Sequence, residues 1–175
     1  MVLFYVVSFY YDFFTSTLLY VLATLLVVII MLLREKRLPY LSLIFGFFVI
    51  ASGIATIASN NPDILIVSDS IYFFLGAIIL LDSTRRNKTI LELLFSPSFA
   101  ITHAGWQTLT WLWIAIFIVA GTTNELVRIF MTPEWWIGFQ FWRGCAIAAI
   151  SVGFLLVTKK YRLPDASAWG IRLHA

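Results

Sequence analysis

The chain has 175 residues, 61% of them hydrophobic and only 12% charged, with a formal net charge of +3. Soluble domains carry about 25% charged residues, so a soluble core is excluded, and the apolar blocks have the length of roughly twenty residues that an α-helix needs to cross a bilayer. The basic surplus lies in short clusters at the ends of those blocks, where it acts as an orientation signal and argues against a nucleic-acid surface.

The opening "MVLFYVVSFYYDFF" has no basic start and no small-residue cleavage site, so a removable signal peptide is not expected. Up to residue 12 it is too short to span and reads as a tyrosine- and phenylalanine-rich interfacial segment. The first predicted span is 13–33, closed by "REKR", and the second is 38–59, closed by the turn-forming "NNPD". A third span, 64–81, contains Asp69 and ends in "DSTRRNK". The linker after it places Ile90, Leu91, Leu93 and Leu94 around Glu92 and breaks at Pro97, the pattern of a short amphipathic helix lying on the membrane surface. Spans four and five are 106–127 and 135–157, followed by a cytoplasmic tail, 158–175, whose polar, proline-started sequence is expected to be little structured. The expected fold is an all-α integral membrane protein, a single transmembrane domain over 1–175 with about five transmembrane helices, an N-terminal interfacial helix and an amphipathic linker.

Ten of the twelve basic residues fall on one side: Arg34, Lys36 and Arg37; Arg85, Arg86 and Lys88; and Lys159, Lys160, Arg162 and Arg172. Basic loops stay in the cytoplasm, so the N-terminus is expected outside and the C-terminus inside. Cys145 is the only cysteine, which excludes an intramolecular disulfide, and its apolar run marks it as a small packing residue. His103 and His174 are too few and too far apart for a metal centre, and solvated histidines are expected. Trp106, Trp135 and Trp136 sit at span ends, where aromatic belts form. Gly144, Ala148 and Ser151 on span five, and Ser42, Gly46, Gly53 and Thr56 on span two, form small-residue faces that serve either internal packing or self-association into a homo-oligomer.

Two charges stand inside the bilayer. Arg143 is eight residues from Trp135, about 12 Å along a helix, and Asp69 is six residues from Asp63, about 9 Å. Because an unpaired charge in hydrocarbon costs at least about 3 kcal/mol, Asp69 is the expected partner of Arg143. Asp12, Asn124, Glu125, Arg128 and Gln140 complete a candidate polar cluster in the outer half of the membrane. Its two readings are a clamp that pins spans three and five together and an outward-facing pocket for a ligand, ion or proton. No nucleophile, base and orienting group occur together in a recognisable spacing, so catalysis is not expected.

The order Tyr11, Asp12, Thr17, Ala23 and Thr24 resembles the opening of the bacterial intracellular septation protein A family. Gly53 and Thr56 fit its Gly-x-x-Thr pattern, and Trp106, Leu109, Trp113, Phe117, Gly121, Asn124 and Val127 fit its fourth-span series, followed by Trp136 and Phe139. The family's lysines in spans three and five are replaced by Ser68 and Gln140, with Asp69 and Arg143 standing close by. The resemblance implies an inner-membrane factor in septation, cell envelope synthesis and membrane integrity, with partners among the division and elongation machinery and among membrane lipids. It implies no enzymatic activity and no cofactor. A small transporter or lipid-handling protein with a polar pocket around Arg143 is the alternative.

Overall fold

A computed structural model of the chain describes residues 2–34, 40–86 and 88–172. Lys36, Arg37, His174 and the side chain of Ser42, all used in the reading above, lie outside the described residues. The described chain is helical, and the protein is an all-α integral membrane protein: α1 (Val2–Val7), α2 (Phe13–Arg34), α3 (Tyr40–Ser59), α4 (Asp63–Ser83), α5 (Ile90–Phe95), α6 (His103–Phe130), α7 (Pro133–Gly153) and α8 (Leu155–Lys160). Among the described residues, four helices are long and apolar enough to cross a membrane, namely α2, α4, α6 and the run Pro133–Lys160, while α3 contributes a shorter apolar stretch, Gly46–Ser59.

The helix ends follow from local chemistry. Asp12 caps α2 by accepting from the backbone N–H groups of Phe14 (3.1 Å) and Thr15 (3.3 Å) and from the Thr15 hydroxyl. Asn60, at φ 50°, takes the left-handed conformation that ends α3, and Asn61 Oδ1 accepts from Asp63 N–H at the start of α4. Thr89 and Glu92 hold the threonine and glutamate positions of a capping box at α5, where Thr89 Oγ1 accepts from the Glu92 N–H at 3.2 Å. Pro133 opens α7 at the first helical position, where its missing N–H leaves no bond unmade. The run 133–160 is interrupted at Phe154, just after Gly153 and near Ser151, whose hydroxyl bonds back to the Ile147 carbonyl at 2.7 Å, the combination that kinks helices.

The chain divides into two compact units. The first comprises residues 1–70 and 123–142. In it α2 buries Phe13, Ser16, Thr17 and Val21, residues three, four and eight positions apart on one face. Val21 and Val28 of α2 stand against Gly53 and Gly46 of α3, so that a Cβ on either glycine would collide with a valine methyl. Both pairs are seven residues apart, which keeps the contact on one face of each helix as the two run side by side. Phe13, Leu65, Ile66, Trp136 and Ile137 form the core of this unit, and α1 joins it through Tyr5, whose ring stacks on Phe141 at 4.4 Å.

The second unit comprises residues 71–122 and 143–175. Ile101, Trp106 and Leu109 form its best-buried cluster, with Leu91, Phe99, Phe154, Val157 and Tyr161 packed around them. Within it Gly76 faces Phe117 and Gly121 faces Phe74, so that ring and glycine fill one another's space on α4 and α6. The tail differs from the expectation of little structure. Residues 161–172 form two antiparallel bridges, Phe99 with Ile171 and Ile101 with Arg162. Side-chain periodicity does not reveal such pairing, because backbone groups carry it.

Candidate functional site

In the first unit, Asn124 organises the buried polar groups. Its side chain is fully buried, donates to the Ile66 carbonyl (2.9 Å) and the Ser70 hydroxyl (2.8 Å), and accepts from the Trp136 indole N–H (2.8 Å). One amide thus ties α6 to α4 and α7, using donors and acceptor together. Ser70 is also hydrogen-bonded to Glu125, whose carboxylate accepts from Arg128 and pairs with it at 2.7 Å. Asp69 accepts from Gln140 Nε2 at 2.8 Å. In hydrocarbon such bonds contribute modestly, on average about 0.6 kcal/mol each in one measured set, but the groups are costly to leave unmade. The Ser16 hydroxyl is buried without a hydrogen-bond partner among the described residues.

The expected cluster is therefore placed in parts. Asp69 with Gln140, and Asn124 with Glu125 and Arg128, are gathered in the first unit. Asp12 is occupied as the cap of α2, and the Thr15 hydroxyl and then the Thr15 N–H hold its carboxyl below the usual carboxylate range. Arg143 belongs to the second unit, where its guanidinium lies over the Phe73 ring, 4.5 Å from the centroid. An aromatic face is a favourable neighbour for a cation held away from water. Phe73 was not legible as such a neighbour, because an apolar residue on an apolar span carries no mark of its role. A cavity of about 410 Å³ lies in the first unit between Tyr5, Phe9, Asp12, Glu134 and Trp135. Of the predicted pocket residues, Asp12 alone lines it.

Several single-residue expectations are corrected. Trp106 and Trp136 are core residues, 3% and 2% exposed, and only Trp135 of the three stands out at 70%. Adjacent helical positions diverge by about 100°, which lets Trp135 point outward while Trp136 packs into the core with Phe13, Leu65, Ile66 and Ile137. Cys145 is exposed and packs no interior. Gly144 has no atom within 4 Å of an added Cβ and Ala148 is exposed, so this part of the face on span five is not buried, in contrast to Gly46 and Gly53. His103 is not simply solvated: its Nδ1 meets the Glu92 carboxylate at 3.0 Å, linking α5 to α6. Among the described residues no group of three potential metal ligands is assembled.

Comparison with known proteins adds a decisive observation: the family model described as intracellular septation protein A matches residues 1–163. The chain belongs to this family. A relative from Bradyrhizobium sp. strain BTAi1, an "inner membrane-spanning protein YciB", is 23% identical over 95% of this chain and 84% of its own length. Proteins of the same name from Agrobacterium fabrum and Nitrobacter hamburgensis are 29% and 25% identical, covering 66% and 75% of this chain and 56% and 67% of their own lengths. No solved structure matches the chain. Gln140 donates to Asp69, while Ser68 turns its hydroxyl to the Ile64 carbonyl at 2.6 Å.

Proposed function

We propose that the chain is a multi-pass protein of the bacterial inner membrane that supports septation and envelope synthesis by contacting other membrane proteins of the division and elongation machinery, without catalysis. Membership of the septation family and the name of the relatives support the compartment and the process. The one-sided basic loops support an outer N-terminus and a cytoplasmic C-terminus. One observation carries the mode of action: α7 presents an open face at Gly144 and Ala148, where a partner helix could approach its backbone closely. The polar groups around Asn124, by contrast, are engaged in holding helices of the first unit together.

The test compares two kinds of glycine in a strain lacking the protein. Gly144→Leu combined with Ala148→Leu is expected to accumulate normally and fail to rescue septation or envelope defects. Gly53→Leu is expected to lose abundance, since its side chain must displace Val21. Full rescue by the α7 double variant would remove this face from the proposal. Oxidative cross-linking through Cys145, exposed on the same helix, shows whether the occupant is a second copy of this chain.

A further inference from the structure

The pairing of the C-terminal tail with the linker leaves a surface whose chemistry points to a specific occupant. Four backbone bonds make the clasp: Ala100 N–H to Gly170 O (2.8 Å), Arg172 N–H to Ser98 O (3.0 Å), Thr102 N–H to Tyr161 O (2.9 Å) and Leu163 N–H to Ala100 O (2.9 Å). The Thr158 hydroxyl adds a fifth, to the Trp169 carbonyl at 2.8 Å. The clasp sits on the cluster of Ile101, Trp106 and Leu109, at the end of the membrane-crossing helix α6.

What the clasp exposes is of two kinds. Leu93, Leu94 and Phe95 of α5, together with Trp169 and Ile171 of the tail, are 45–60% exposed. The same loop and tail segments carry seven Lys and Arg residues, those of residues 85–88 and of the tail, against three carboxylates, Asp82, Glu92 and Asp165. Seven cations against three carboxylates leave a formal surplus of four positive charges, with Asp82 paired to Arg86 and Glu92 to His103. Lys159 Nζ lies 5.2 Å from the centre of the Trp169 ring, placing a cation beside an amphipathic aromatic. Large exposed apolar side chains in segments rich in cations match a layer with acyl chains below and negative headgroups above.

We propose that the clasp is a docking surface for anionic phospholipid of the leaflet on the basic-loop side, and that the tail lies on that leaflet as a second amphipathic piece beside α5. The charge complementarity selects anionic over zwitterionic headgroups. The proposal uses the cytoplasmic assignment of this side only to name the leaflet. In nanodiscs both leaflets have the same composition, so an error in orientation and an error in the docking surface are told apart.

The experiment uses the full chain in nanodiscs, with Cys145→Ala and a nitroxide attached through Ala168→Cys, an exposed position beside Trp169. Collision of the label with oxygen and with a water-soluble nickel complex is compared in phosphatidylcholine and in phosphatidylglycerol-rich discs. The expected result is a several-fold fall in nickel collisions and a rise in oxygen collisions with phosphatidylglycerol, reversed by high salt. Lys159→Gln, Lys160→Gln and Arg172→Gln together are expected to return the label to its phosphatidylcholine behaviour. Arg162 is left in place because it donates to the Ala168 carbonyl. Resistance of the tail to protease shows that the clasp persists in the variant. Equal collisions in both lipids overturn the proposal, as does a lipid response that survives removal of the three cations. A label shielded from both collision partners in lipid-free detergent would place a second copy or a protein on this surface, and equally overturns it.

Discussion

At the scale of the residue, Asn124 shows how a single polar side chain specifies a fold in a solvent that does not favour helix association. Lipid tails are as apolar as leucine, so apolar burial alone gives little preference for one packing over another. A buried amide with its donors and acceptor satisfied gives such a preference, because other arrangements leave those groups unmade. Asn124→Leu is expected to lower stability by about 1–2 kcal/mol, read by reversible unfolding in mixed micelles. Trp136→Phe should show part of that loss, and Trp135→Phe essentially none; equal effects of the two tryptophan changes would contradict the assignment. Asp12 acts locally instead. Its carboxyl titrates below the usual range, so its contribution to the start of α2 is fully present above the unfolded-state value and is lost as pH falls through the lower folded-state value. Hydrogen exchange at Thr15, corrected for intrinsic rates, should therefore quicken on acidification, and Asp12→Ala should abolish that dependence.

At the scale of the element, the helices follow from their sequence and their partners do not. Long apolar runs, the Asn60 and Asn61 turn, the Thr89 cap and Pro133 all act within a few residues, so they can be read along the chain. Which face of each helix packs depends on residues far away. Gly53 and Gly144 look alike in sequence, yet one meets Val21 and the other meets nothing within 4 Å. The tail is the larger surprise, since its polar composition conceals backbone pairing with residues 98–102. Gly170 is the position on which that pairing turns. Its φ of +75° suits glycine, and a Cβ there would stand 2.9 Å from the Thr158 carbonyl oxygen. Gly170→Ala is expected to cost roughly 1–2 kcal/mol from the left-handed backbone alone, and limited proteolysis should then cut near residues 163–168 in the variant while sparing the parent. Unchanged protection would show that the bridges do not hold the tail.

At the scale of the whole molecule, charge and hydropathy set the relation to the membrane. The expected one-sided placement of ten basic residues predicts an orientation that maleimide labelling of single cysteines checks in intact cells, in a Cys145→Ala background: a cysteine at Asn61 is expected to react with an impermeant reagent and one at Asp165 only after lysis. The opposite pattern would invert the topology and move the clasp to the outer leaflet. The candidate polar cluster was partly legible, because a charge or amide inside a span is expensive and so marks itself. Asp69 and Arg143 marked themselves in that way and Asn124 and Gln140 were read as polar groups near them, whereas Phe73, Ser70 and the buried Trp136 were not read as their neighbours. The sequence by itself determined that the protein is helical and membrane-embedded and roughly where its helices lie, since these depend on local hydrogen bonding and on transfer from water to lipid, residue by residue; the order of its residues carried the family. Only the tertiary structure decided which tryptophan is core, which glycine is a contact and where the tail goes. Those outcomes depend on the direction each side chain takes and on backbone partners distant in sequence, which a one-dimensional pattern of apolar and polar residues does not encode.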